Sequence, residues 1–151
     1  MKKALNYLLL IFFIALFPTS NAIGQTNKFN TLQKYDIKGI SINDTFICDL
    51  NGFTHGTIDY GIYKQRGFYF AIKHDNAKLG NNISILESIS HSNFTTDAGF
   101  KGIQYDLIEL GNNNNILKAK FWETKDFVYF MLTSNQNGQK IEMVYILTIL
   151  R

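Results

Sequence analysis

Three histidines, one cysteine, a thin scatter of carboxylates and an uneven set of aromatics are the side chains in this 151-residue sequence that could do chemistry. His55, His74 and His91 are far apart in the chain and have no cysteine partner, whereas structural metal motifs bring two ligands within a few residues, so the spacing predicts no metal site. Each lies in or beside a predicted turn and reads as a solvated residue. His55 and Asp59 would pair on a helix, but on a strand positions i and i+4 are about 13 Å apart, and Gly56 and Gly61 argue against a helix. No serine sits in a Gly-x-Ser-x-Gly elbow. Gly52, Gly56 and Gly61 lack the following helix and lysine of a phosphate cradle. Asp59, Asp106, Glu109 and Glu123 could cleave a glycoside only if the fold made two of them converge. Asp106 and Glu123 fall on neighbouring predicted strands, and all four carboxylates read as solvated-face residues.

Cys48 is the sole cysteine, so no intramolecular disulfide forms. Alternation over Thr45 to Leu50 puts Phe46, Cys48 and Leu50 on one strand face, which makes Cys48 a small buried hydrophobe. A reactive or intermolecularly paired thiol is the alternative. The aromatics offer the remaining signal. Phe53, Tyr60, Tyr63 and Trp122, together with Tyr69, could line a surface that anchors a protein partner. Cross-strand packing is the competing role for the same residues.

The elements that must position these groups are mostly strands. Ile37 to Ile42 and Thr45 to Leu50 alternate and end at the Asn51-Gly52 turn. Thr57 to Lys64 and Phe68 to His74 form a hairpin about Gln65-Arg66-Gly67, and the second of these carries enough apolar residues for a central strand. Over residues 83–91 the alternation fails. Ile83, Leu86 and Ile89 or Ser90 recur at helical spacing, and Ser84 with Glu87 has capping-box form, so the pattern predicts a short helix. From Phe100 onward a meander follows, Ile103 to Leu110, Ile116 to Glu123 and Phe127 to Thr133. Lys140 to Leu150 is so apolar that strand and helix both fit, with strand favoured by its β-branched and aromatic content. The expected fold class is therefore α+β, an antiparallel sheet of about six or seven strands with one helix, and an all-β sandwich or barrel is the alternative.

Within the meander, Gly102-Ile103-Gln104-Tyr105-Asp106-Leu107, Ala119-Lys120-Phe121-Trp122 and Phe127 to Thr133 resemble the PsbP-like α/β/α sandwich family. The likeness spans Phe100 to Thr133 and is one of pattern. It implies a non-catalytic assembly or binding role, although a helix after the last strand, which that family has, is not evident here.

The amino end supplies an address. Met1-Lys2-Lys3 precedes an apolar run from Leu8 to Phe17, Pro18 ends it, and Ser20-Asn21-Ala22-Ile23-Gly24 supplies small residues for cleavage, the form of a secretory signal. The run is too short for an ordinary membrane-spanning helix, which needs about 20 residues. Cleavage between Gly24 and Gln25 would leave 127 residues, a single domain over 35–151 after a flexible lead-in at 25–34. Lys2 and Lys3 leave with the signal, so the net charge of +3 falls to +1. Basic and acidic residues are interspersed, which argues against nucleic-acid binding. The Asn, Lys and Ile bias with the Met-Lys-Lys start favours a bacterial source, so sequons such as Asn43-Asp44-Thr45 are read as chance.

These observations predict a secreted or periplasmic, non-catalytic binding domain without a cofactor, docking on a protein partner as an envelope assembly factor or a toxin-neutralising protein. A small secreted hydrolase with acid and base on separate strands is the alternative. Mass spectrometry of the exported protein should find Gln25 at its amino terminus, and intact Met1 would overturn the address.

Overall fold

A computed structural model describes residues 29–63, 67–75, 79, 83–110 and 112–150. Nine strands follow one another: β1 (Phe29–Ile42), β2 (Thr45–Cys48), β3 (Gly56–Tyr63), β4 (Gly67–His74), β5 (Ile83–Thr95), β6 (Lys101–Glu109), β7 (Asn112–Glu123), β8 (Val128–Gln136) and β9 (Gln139–Ile149). All neighbours are antiparallel. The sheet order is β2-β1-β3-β4-β5-β6-β7-β8-β9, and β1 also pairs with β9. β1 and β3 to β9 therefore close an eight-stranded up-and-down barrel, and β2 extends the wall as an extra strand.

Closure depends on the length of β1. Its first half, Phe29 to Asp36, pairs with β3, while Tyr35 to Ile42 pairs with β9. Register shifts at Thr31/Gln33 and Ile37/Gly39 bend it as it passes from one neighbour to the other. β2 then takes the edge that β3 leaves vacant, with Ile40 opposite Cys48. The connection is a two-residue turn in which Asn43 and Asp44 both adopt positive φ, +46° and +63°. Its backbone is tied to β9, because Asn43 N–H donates to the Glu142 carbonyl and Glu142 N–H donates to Asn43 Oδ1, each at 2.9 Å. At the β8–β9 turn, Asn137 and Gly138 likewise take φ of +49° and +78°, the geometry that matches strand twist in a tight hairpin.

Alternate residues fill the barrel. Ile37, Ile40, Ile58, Phe70, Ile72, Leu86, Leu107, Phe130, Leu132, Tyr145 and Leu147 are fully buried there. Rings from different strands meet across the lumen, Phe70 on Phe130 at 4.6 Å between centroids and Tyr60 on Phe121 at 6.2 Å. An eight-stranded barrel is narrow enough for side chains to fill it, and here they do. A smaller outer cluster joins Tyr63, Tyr69 and Ile85 with Phe29, Ala71 and Leu110.

Several expectations are corrected. The fold is all-β rather than α+β, and no helix occurs among the described residues. Residues 83–91, expected as a helix, belong to β5. The bulge between Ser88 and Ser90 shifts the alternation by one, and Ile85 on the outer face is covered by its own cluster, so the apolar spacing mimics a helical one. Ser84 and Glu87 do not cap anything but sit opposite Ile72 and Tyr69. Residues 29–34, expected as a loose lead-in, are strand, and 25–28 lie outside the described residues. Lys140 to Leu150 is β9 up to Ile149. The stretch compared with the PsbP-like pattern forms β6, β7 and most of β8, three neighbouring staves of the barrel.

Replacing Phe70 by Ala should cost about 3–5 kcal/mol, because four ring neighbours lose contact and the surrounding wall is hydrogen-bonded in place. Urea unfolding followed by tyrosine and tryptophan fluorescence measures it, and a loss below about 1 kcal/mol would contradict a filled barrel.

Candidate docking surface

Register, rather than sequence distance, decides which side chains share the outer wall. On β5 to β9 the outward positions form three rows. Ser90, Asp106, Lys118, Thr133 and Glu142 make the first, and Ser92, Gln104, Lys120, Met131 and Val144 the second. The third is Phe94, Gly102, Trp122, Tyr129 and Ile146. The first two rows, Val144 apart, line a trough of about 380 Å³ together with Lys140. The third row is the next outward set along the same strands.

The polar side is held by side-chain pairs. Ser90 Oγ donates to Asp106 Oδ2 at 2.7 Å, and Lys118 Nζ donates to Oδ1 at 3.1 Å. These two donors hold the Asp106 carboxyl below its ordinary pKa. Gln104 Nε2 donates to Ser92 Oγ at 2.8 Å, and Lys140 meets Glu142 at 2.9 Å. Lys120 differs, because its ammonium lies over the Phe94 ring, 5.1 Å from the centroid. With three lysines against two carboxylates, the trough carries one net positive charge.

The aromatic side is organised around Gly102. Phe94 and Trp122 flank it from β5 and β7 and meet edge to face at 6.2 Å and 88°, while Trp122 stacks on Tyr129 at 5.2 Å and 8°. A Cβ on Gly102 would come within 2.6 Å of the Phe94 ring and 2.8 Å of Trp122 Cβ. The missing side chain is what lets the two rings close over the strand.

The sequence-derived candidates are dispersed by the fold. Trp122 alone of them stands on this surface. Phe53 is 73% exposed on the segment between β2 and β3. Tyr60 points into the barrel, stacked on Phe68 and within reach of Tyr105, whose hydroxyl hydrogen-bonds to it. Burial raises the pKa of both phenols. Tyr63 is buried in the outer cluster on the far side, stacked on Phe29 at 4.8 Å, and Tyr69 joins it with its hydroxyl 2.6 Å from Thr31 Oγ1. Gly24 and Gln25 lie outside the described residues. Tyr129, Phe94 and Lys120 were not singled out by sequence. Their signal was the pairing of alternate residues across β5 to β8, which becomes visible only once register is known.

The histidines are also corrected. His74 and His55 are buried, at 7% and 6% exposure, and not solvated turn residues. His74 lies inside the barrel with Nε2 3.1 Å from the Tyr145 hydroxyl and its ring stacked on that phenol. His55 Nε2 reaches the Asp49 carbonyl at 3.1 Å. Cys48 is buried, near enough to Tyr145 to bear on its titration. Glu109, expected on a solvated face, is buried as well. The four carboxylates do not converge. Asp106 faces out and Glu109 in, and Asp59 pairs with Lys34 at 3.6 Å on another part of the wall. Glu123 is five residues along β7 from the partner of Asp106, about 16 Å away, well beyond the spacing of a glycosidase pair. No cluster of three or more metal-ligating side chains occurs among the described residues.

No protein-family model, curated protein or solved structure matches the chain.

Burial of His74 carries a pH dependence. Desolvation lowers its pKa from 6.5 to about 4, so the unfolded chain takes up a proton in a range where the fold does not. Stability attributable to this residue should be complete above pH 6.5 and fall by about 3 kcal/mol as the pH drops to 4. Chemical denaturation of the wild type and of His74→Gln across pH 7 to 4 tests it. The gap between the two should shrink with acidity, and a constant gap would exclude the assignment.

Proposed function

We propose that this chain is an extracytoplasmic, non-catalytic docking domain that holds a protein partner on the outer wall of β5 to β9. The observation that carries the reading is the trough of about 380 Å³ lined by hydrogen-bonded polar side chains, with the Phe94–Trp122–Tyr129 row next along the same strands. Rigid rings beside fixed polar groups are what anchoring residues at protein interfaces look like, because little side-chain freedom remains to be lost on binding. The extra positive charge at Lys120 favours a partner surface that sets a carboxylate next to an apolar group.

Two features support an aqueous setting for this barrel. Its interior is mostly apolar, and charged side chains such as Lys34, Asp59, Asp106, Lys118 and Glu142 stand along the outer wall. A barrel embedded in a bilayer has the reverse arrangement. The signal-like amino end supports export.

Affinity capture from the native envelope fraction provides the test. Trp122→Ala and Lys120→Glu should each lose a protein that the wild type retains, while Lys73→Glu, on an exposed site of β4 outside the trough, should keep it. Thermal melts confirm that the variants remain folded. Equal capture by all four proteins, or turnover of a substrate without capture, would reverse the reading.

A further inference from the structure

The barrel wall parts between β4 and β5. These strands pair from Tyr69 opposite Glu87 to Lys73 opposite Ile83, and the bulge at Ser88 to Ser90 lies just beyond. From there to Thr95, β5 is paired with β6 on one edge. Among the described residues, no strand pairs with its other edge. The main-chain N–H and C=O groups of a strand alternate between its two edges, so about every second residue here directs them into the open seam.

Long free edges are normally guarded by lysine, proline or shortness. β5 is 13 residues long, and its segment Ser88 to Thr95 contains neither a charged residue nor a proline. Beside it lies a recess of about 420 Å³ in which Ile62, Gly67, Phe68 and Ile89 supply the apolar part of the wall and Ser88, Ser90 and His91 the polar part. Ile89, the extra residue of the bulge, is 52% exposed at this rim. The two features demand different things of an occupant. Unpaired backbone groups are satisfied by another extended backbone, and the apolar part of the recess wall by an apolar side chain. A strand-like peptide supplies both at once.

We propose that the β4–β5 seam binds an extended, uncharged peptide segment of a protein partner, which adds as a strand to Ser88–Thr95 and seats one large apolar side chain in the recess beside Ile89. The inference deepens the docking reading and rests on it, since the same strand presents Ser90 and Ser92 to the trough.

The mature chain is titrated with a capped nonapeptide of alternating threonine and valine with phenylalanine at its centre, and with two versions N-methylated at every second residue in opposite phases. Backbone amide spectra and fluorescence anisotropy are the readouts. The parent peptide should perturb amides over Ser88–Thr95 and protect them from exchange. Methylation in one phase should weaken binding about tenfold, because it blocks the edge that faces β5, while the other phase leaves it nearly unchanged. Ile89→Glu should weaken the parent peptide similarly, and Trp122→Ala should not. Equal binding of both methylated peptides, perturbation centred on Trp122 and Lys120, or no binding by the parent peptide would each overturn strand addition. If that happens while Trp122→Ala still abolishes partner capture, docking on the trough stands and the seam proposal alone fails.

Discussion

The pairing of β1 with both β3 and β9 is the interaction on which everything else depends. A fourteen-residue strand shared between two neighbours turns an open meander into a closed wall. Closure satisfies backbone groups that two long edges would otherwise expose, and it gives the inward-facing side chains a common interior. The bulges in β1 are part of the device. Each changes the bend of the strand without breaking its ladder, so Ile37 and Ile40 both face inward although they are three positions apart. The Asn43-Asp44 turn secures the far end by hydrogen bonds to β9, and β2 pairs with β1 beside it.

With the wall closed, the lumen becomes an aromatic packing problem. Tyr60, Phe68, Phe70, Tyr105, Phe121 and Phe130 come from β3, β4, β6, β7 and β8 and contact one another as stacked, tilted or edge-to-face rings. Polar groups inside are few among the described residues; His74 and Tyr145 partner each other, whereas the buried Ser134 Oγ has no hydrogen-bond partner. Such a core is a packed interior rather than a channel, so the docking role we propose falls to the outside. There, the saddle of β5 to β9 sets a polar floor against an aromatic row, and the bulge of β5 opens a seam beside it. The two features meet at Ser90 and His91, which border both depressions. A single irregularity in one strand thus shapes both.

Much of the strand content was legible because alternation is a local property. The β3–β4 hairpin, the β6–β7–β8 meander and the Asn137-Gly138 turn could be read from period and turn chemistry alone. The helix expected at 83–91 failed for a physical reason. A bulge shifts the period, and an outer apolar cluster removes the contrast between faces, so local pattern no longer reports which side is buried. His74 and Glu109 were misplaced for a related reason. Polar residues near strand ends look solvated until closure carries those ends over the core.

By itself the sequence determined the antiparallel strands, the single cysteine in an apolar setting, the absence of a catalytic signature in the motifs sought, and a signal-like amino end, because each is written in residues close together along the chain. The tertiary structure alone decided that the sheet closes, that Tyr60 and Tyr63 point to opposite sides of it while Trp122 stands beside Phe94 and Tyr129, and that from Ser88 to Thr95 one edge of β5 has no pairing strand among the described residues. Those facts depend on register between strands distant in sequence. A shift of one residue would exchange the two faces, so no local pattern could have assigned them.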